Sequence, residues 1–296
     1  MGIVIEAGLP ALIILAMTIV GLELTPTDLN RVLHYPAEVA ASLLGQVLIL
    51  PLIAAALVVW LRPEPAVAGG LILAAAAPQA TSSNYFCLLA RANIALSVTL
   101  TVASSVLALA STPLVAKLGF GLLLDQQAGF VLPVAKVMQQ VLTGLLLPVG
   151  AGMLVRHYAP GFVQRNHERL QRLSLVAVVA MLAIILIDQA ATIAHNLGSI
   201  VLAAVLFTVA AAALGFGIAR AFAWPRADAI TVLAGFPSRS LSIAALISIN
   251  VLSRADFLAF AAPFFVVQAL LLVPVMLLAR PAGGEAVKGE GVKGEG

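Results

Sequence analysis

The sequence predicts an all-α polytopic membrane protein, and three observations carry that prediction. Of its 296 residues, 62% are hydrophobic and only 10% are charged, whereas a soluble domain has about 25% charged residues. Mean hydropathy is +1.10, so there is too little polar surface to cover a water-facing globule. Apolar runs of about 20 residues, enough to cross a roughly 30 Å hydrocarbon core as helix, recur along the chain without a polar insertion large enough for a soluble domain.

Nine spans are expected, at about 6–24, 37–61, 66–90, 93–118, 129–155, 170–193, 197–223, 227–252 and 255–279. Turn chemistry separates them: TPTD at 25–28, RPEP at 62–65, RAN at 91–93, HNLG at 195–198 and WPRAD at 224–228. Glu23 closes the first span, and TPTD after it reads as a helix stop followed by an N-cap. The membrane domain is expected over 1–280. Residues 281–296, Gly-rich with a repeated VKGEG, are expected to be a disordered tail. The start MGIVIEAGLPA has no basic stretch and carries Glu6 before the apolar run, which argues against a secretory signal. Glu6 also stands where a myristoylation signal needs Ser or Thr.

Basic residues orient the spans, because cytoplasmic loops hold the positive excess. One set of alternating loops carries Arg31, Arg91, Arg156, Arg165, Arg169, Arg172, Arg220, Arg226, Arg280, Lys288 and Lys293; the other carries Arg62, Lys117, Lys136 and Arg254. Eleven against four predicts an external N-terminus and a cytoplasmic C-terminus in a bacterial-type inner (plasma) membrane. This asymmetry accounts for the net charge of +3, so no nucleic-acid partner is expected, and no obligate protein partner either. Arg239 belongs to neither set.

Two spans are interrupted. In the third, Pro78 is followed by Gln79, Thr81, Ser82, Ser83 and Asn84; in the eighth, Gly235 and Pro237 precede Ser238, Arg239, Ser240 and Ser242. Proline removes a helical N–H and clashes with the preceding turn, and backbone freed at membrane depth finds no partner in lipid. Both segments therefore read as unwound crossings buried in protein or lining a cavity. Broken helices at matched places in two halves are the sequence pointer to the binding site of a secondary transporter.

Enzyme chemistry finds no support. The spans hold no HExxH, no carboxylate pair, and no histidine placed to activate Ser83 or Ser240. His34, His157, His167 and His195 lie in loops or at span ends without metal spacing, and no cofactor is expected. Cys87, the sole cysteine, excludes an intramolecular disulfide and a cysteine-based metal cluster, and reads as a small buried hydrophobe. Asp188 in ILIDQAAT is a helix-end carboxylate, with proton relay as its functional alternative.

The segment PQATSSNYFCLLARANIALSVTLTVASSVLALASTPLV resembles the bile acid:sodium symporter family, whose first crossover reads proline-glycine-glycine-threonine-alanine-serine-asparagine. GLELTPTDLNRVLHYP and GQVLILP are similar to two further signatures of that family, and the likeness runs to about residue 280, strongest over 21–113. The resemblance implies inverted five-helix repeats, with a panel domain against a core whose broken helices cross near the midplane. This chain would begin at the family's second helix. The panel would be 6–24, 129–155 and 170–193, and the core 37–118 and 197–279.

Carried over by motif, the family's sodium ligands fall on Ser83, Asn84, Ser97 and Thr101, with Gln46 serving a second ion. These hard oxygen donors suit a hard cation. The family's glutamate, glutamine, asparagine and serine of the second crossover fall on Leu233, Pro237, Ser238 and Arg239. Negative charge is lost there and a cation gained, so the site reads as a remnant and transport is expected not to depend on sodium.

A charge at the bilayer centre is a functional-site hypothesis by default, and three roles for Arg239 stay open. Its guanidinium acts as a built-in cation donating to Asn84, Ser83, Thr101 and Gln46, or it grips a substrate carboxylate or sulfonate with its planar fork. In the third role it snorkels or pairs with Asp188. The expected function is alternating-access transport of a small or amphipathic organic anion, bound by Thr81, Ser82, Gly235, Ser238, Arg239 and Ser240. The alternatives are a sodium-dependent anion symporter with a rebuilt site, or a channel or binding-only sensor on the same fold.

Overall fold

The computed structural model describes residues 8–24, 35–124 and 133–280. The TPTD turn, Glu6, Arg31, His34, Lys288, Lys293 and the C-terminal tail lie outside them. The described residues form helices and no β-strand; one isolated bridge joins Gln79 to Arg239. Among them, six helices are long and apolar enough to cross a membrane.

The helices run in the order α1 (Leu9–Glu23), α2 (Pro36–Leu61), α3 (Pro65–Ala76), α4 (Ser82–Ala90), α5 (Ile94–Leu123), α6 (Val134–Tyr158), α7 (Pro160–Asp188), α8 (Ala190–Ala221), α9 (Arg226–Gly235), α10 (Leu241–Val251) and α11 (Leu258–Leu278). Pro36, Pro65 and Pro160 open their helices at the first position, where a missing N–H is harmless. Arg62 and Arg91, at φ 46° and 54°, end α2 and α4 in the left-handed region, where the RPEP and RAN turns were expected. Both prolines of the interrupted spans break their helices as anticipated. α3 stops at Ala76 before Pro78, and α9 stops at Gly235 before Pro237.

One boundary differs from expectation. HNLG does not separate two helices; α8 runs through it from Ala190, and the chain turns instead at Gln189. Asn196 keeps its side chain occupied inside the helix, donating from Nδ2 to Glu64 Oε2 at 2.9 Å and to the Thr192 carbonyl at 3.2 Å. A tertiary bond thus overrides turn-like composition. The preceding helix also begins at Pro160, ten residues before the expected span, taking the charged RNHERLQR stretch into its first turns.

Three π-turns among the described residues were not foreseen, and one of them, Ile247–Val251, closes α10. Gly45–Ile49 widens α2 and Leu142–Leu146 widens α6, each ending two residues before a proline, Pro51 and Pro148. Proline cannot donate to, and crowds, the carbonyl four residues back; a widened turn relieves both faults. The first of these turns carries Gln46.

α1 packs against α6 and α7, while α8 packs against α2, α9 and α11. The α1–α6 crossing depends on two glycines. A Cβ at Gly21 would stand 2.1 Å from the Val149 carbonyl oxygen, and one at Gly152 would stand 2.2 Å from that of Thr18. Small residues let membrane helices approach this closely. Gly152→Val is therefore expected to destabilise the fold by about 1–3 kcal/mol, read as a lower unfolding midpoint in detergent. A variant as stable as the parent would refute the tight crossing.

Candidate functional site

The two interrupted helices meet back to back. Ala80 N donates to the Ser238 carbonyl at 2.8 Å and Ser240 N donates to the Pro78 carbonyl at 2.9 Å. This antiparallel bridge pairs Gln79 with Arg239 and satisfies backbone that neither helix can satisfy alone.

A helix leaves its last four carbonyls without intrahelical partners. For α3 these are Ala74, Ala75, Ala76 and Ala77, and all four are met from elsewhere. Thr112 Oγ1 donates to Ala76 at 2.8 Å. Arg239 takes the other three: Nε donates to Ala74 at 3.4 Å, and Nη2 to Ala75 at 3.4 Å and to Ala77. Its Nη1 donates to Gln46 Oε1 at 2.9 Å. Arg239 as a whole is 5% exposed, and no ion pair among the described residues includes it. Its charge faces the negative end of the α3 dipole.

The chain of contacts continues through amides and hydroxyls. Gln46 Nε2 donates to Gln79 Oε1 at 3.1 Å, and Gln79 Nε2 donates to Ser83 Oγ at 3.0 Å, with Thr101 Oγ1 at 3.5 Å. Ser83 and Ser97 hydroxyls lie 3.1 Å apart, and Ser97 Oγ donates to Asn84 Oδ1 at 2.7 Å. All five residues that the family motif assigned to cation binding, Gln46, Ser83, Asn84, Ser97 and Thr101, thus belong to one network. Arg239 touches only Gln46 among them. The other three contacts expected of its guanidinium, Asn84, Ser83 and Thr101, are replaced by main-chain carbonyls, because the guanidinium lies across the end of α3. The oxygens of Gln46, Ser83 and Asn84 each accept a protein donor. Asp188 lies away from this site, accepting from Gln189 Nε2.

Beside the crossover lies a cavity of about 910 Å³. Thr81, Ser82, Arg239 and Ser240 line it, as do Thr101, Ser105 and Ser242. Its opposite wall is apolar: Met17 and Val20 of α1, Val149 and Met153 of α6, and Val178 of α7. It extends to Glu23, Glu168 and Arg172, and the last two are well exposed, so the cavity reaches the surface at that end. The α4 N-terminus and the Ser240-capped start of α10 both meet it, and the Ser82 hydroxyl is buried there without a partner.

Two expected binding residues do not line this cavity. Gly235 packs under the Gln79 amide, where a Cβ would come within 2.9 Å of Nε2. Ser238 is fully buried behind the crossover, donating to the Ala234 carbonyl at 2.7 Å and accepting from Gln268 Nε2 at 3.2 Å. Gln79 was named from sequence only as a polar residue of the first break, and Ser104 and Gln268 were not singled out. Gln79 followed the breaking proline directly, and Gln268 is a lone amide in an apolar run, which were the available signals. Ser104 Oγ accepts from Gln79 N at 3.2 Å.

The pattern of the Sodium Bile acid symporter family matches residues 10–196. A rice chloroplast protein described as probable sodium/metabolite cotransporter BASS2 is 28% identical over 228 residues, 76% of this chain and 53% of its own. A Bacillus subtilis protein described as uncharacterized sodium-dependent transporter YocS is 30% identical over 165 residues, 56% of this chain and 49% of its own. An Arabidopsis thaliana chloroplast protein described as probable sodium/metabolite cotransporter BASS1 is 31% identical over 201 residues, 68% of this chain and 48% of its own. The chain spans about half the length of these curated relatives.

Arg239→Ala strips donors from four buried acceptors and is expected to cost about 3 kcal/mol or more. Thr112→Val, which frees only the Ala76 carbonyl, is expected to cost about 1–2 kcal/mol. Denaturant or thermal unfolding of purified protein reads both, and the reverse order of severity would contradict Arg239 as the principal cap of α3.

Proposed function

The chain belongs to the Sodium Bile acid symporter family, and from that premise we propose that it is a secondary transporter of small or amphipathic organic anions that works without sodium coupling. The observation that carries this is the Arg239 guanidinium inside the crossover, bonded to Gln46 and to the carbonyls ending α3. A permanent cation does there, without dissociating, what a bound ion does for unwound backbone at membrane depth.

The cavity supports an anion with an apolar body. Positive helix ends at Ser82 and Ser240, together with the edge of Arg239, favour a carboxylate or sulfonate head. The wall of Met17, Val20, Val149 and Met153 suits a hydrocarbon portion. In this reading α1, α6 and α7 form the panel, against which the remaining helices move. The cavity mouth at Arg172 faces the cytoplasm of a plasma-type membrane, on the side where basic residues accumulate, so the conformation is inward-open.

A sodium-coupled symporter with a rebuilt site is the second reading, favoured by the printed descriptions of the relatives as sodium-dependent or sodium/metabolite transporters. Reconstituted protein decides between them. Straight-chain carboxylates and alkyl sulfonates are first screened for thermal stabilisation, and uptake of the best binder into liposomes is then measured in sodium, potassium or choline. The expected result is equal uptake in all three; a saturable sodium requirement overturns the sodium-independent reading.

A further inference from the structure

Arg239 accounts for the end of α3, but not for the first crossover, where a different side chain does the corresponding work. The family motif has glycine after its proline; here that position is Gln79, a residue 2% exposed. Oε1 is held by Gln46 at 3.1 Å, which turns Nε2 toward Ser83 Oγ at 3.0 Å and Thr101 Oγ1 at 3.5 Å. Ser83 touches Ser97, and Ser97 is bonded to Asn84. The carboxamide nitrogen thus meets the hydroxyls that the motif assigns to a cation. Its two hydrogens carry partial positive charge, so hydroxyl oxygens face it as they would face a small cation. Gly235 makes the room, since a Cβ there would stand 2.9–3.1 Å from the Gln79 amide.

We infer that the Gln79 carboxamide is a tethered substitute for a monovalent cation in the first crossover, and the residue that excludes sodium from it. This inference rests on the sodium-independent reading and adds to it. Two side chains, one per crossover, replace two ions. Gln79 sets the ion specificity at Ser83 and Thr101, while Arg239 caps α3.

The test compares unfolding midpoints of purified protein in sodium chloride and in choline chloride at equal ionic strength. Wild-type protein should be indifferent to the exchange; a wild type stabilised by sodium would instead overturn the reading on which this one rests. Gln79→Gly removes the donor and leaves its hydroxyl partners unmet. Its midpoint should fall in choline and rise by about 2–4 °C when sodium replaces choline. Gln79→Leu fills the space without a donor, so its midpoint should fall by about 4 °C or more in either salt. A Gln79→Gly protein with no sodium response, including one that fails to fold in both salts, overturns the inference. So does a Gln79→Leu protein as stable as wild type, which would make Gln79 a space-filler.

Discussion

The four carbonyls at the end of α3 set the terms for this molecule. They lie where the chain breaks in the middle of an apolar protein, and neither lipid nor a continuing helix can satisfy them. Thr112 meets one and Arg239 meets three. An unpaired arginine in such a place would be prohibitive, and so would unpaired carbonyls. Each makes the other tolerable. The second crossover must therefore lie against the first so that Arg239 reaches α3, and the backbone bridge between Pro78–Ala80 and Ser238–Ser240 holds that geometry.

From this contact the rest of the site follows outward. Arg239 fixes Gln46, which sits in the widened turn of α2; Gln46 fixes Gln79; and Gln79 fixes the Ser83 hydroxyl at the start of α4. Each link uses an acceptor on one residue and a donor on the next, so the direction of the amides is determined along the series. Helices α2, α3, α4, α5 and α10 are tied to one another by polar groups where shape alone would allow sliding. The cavity wall on this side is thus cross-linked by polar groups, while the facing residues Met17, Val20, Val149 and Met153 are apolar.

Much of this was legible in the residues. Pro78 and Pro237, each followed by hydroxyls, marked both breaks, and the motif around Ser83, Asn84, Ser97 and Thr101 identified residues that do come together. What was hidden is instructive. The partners of Arg239 are main-chain carbonyls, which carry no residue signature, so side chains were expected in their place. The bridge between residues about 160 positions apart in sequence is likewise backbone to backbone. HNLG looked like a turn because Asn and Gly favour turns locally, but Asn196 binds Glu64 across the fold. Ser238 lies beside Arg239, which lines the cavity, yet its hydroxyl turns away to the Ala234 carbonyl. One residue of offset in an unwound segment reverses the facing, and no periodicity exists there to predict it.

The covalent attachment of Arg239 has an electrical consequence. A dissociable ion released on one side of a membrane adds its charge to whatever crosses in each turnover, whereas a charge fixed to the chain returns with it. In a carrier whose only mobile charge is a monovalent anion, each cycle therefore moves one negative charge. A potential of 100 mV contributes about 2.3 kcal/mol to that movement, toward the positive side. An inside-negative membrane would thus push such a carrier toward expelling its anion, or toward trading one anion for another with no net current. Sodium-coupled uptake runs the other way, so a fixed charge and a dissociable one belong to opposite electrical regimes.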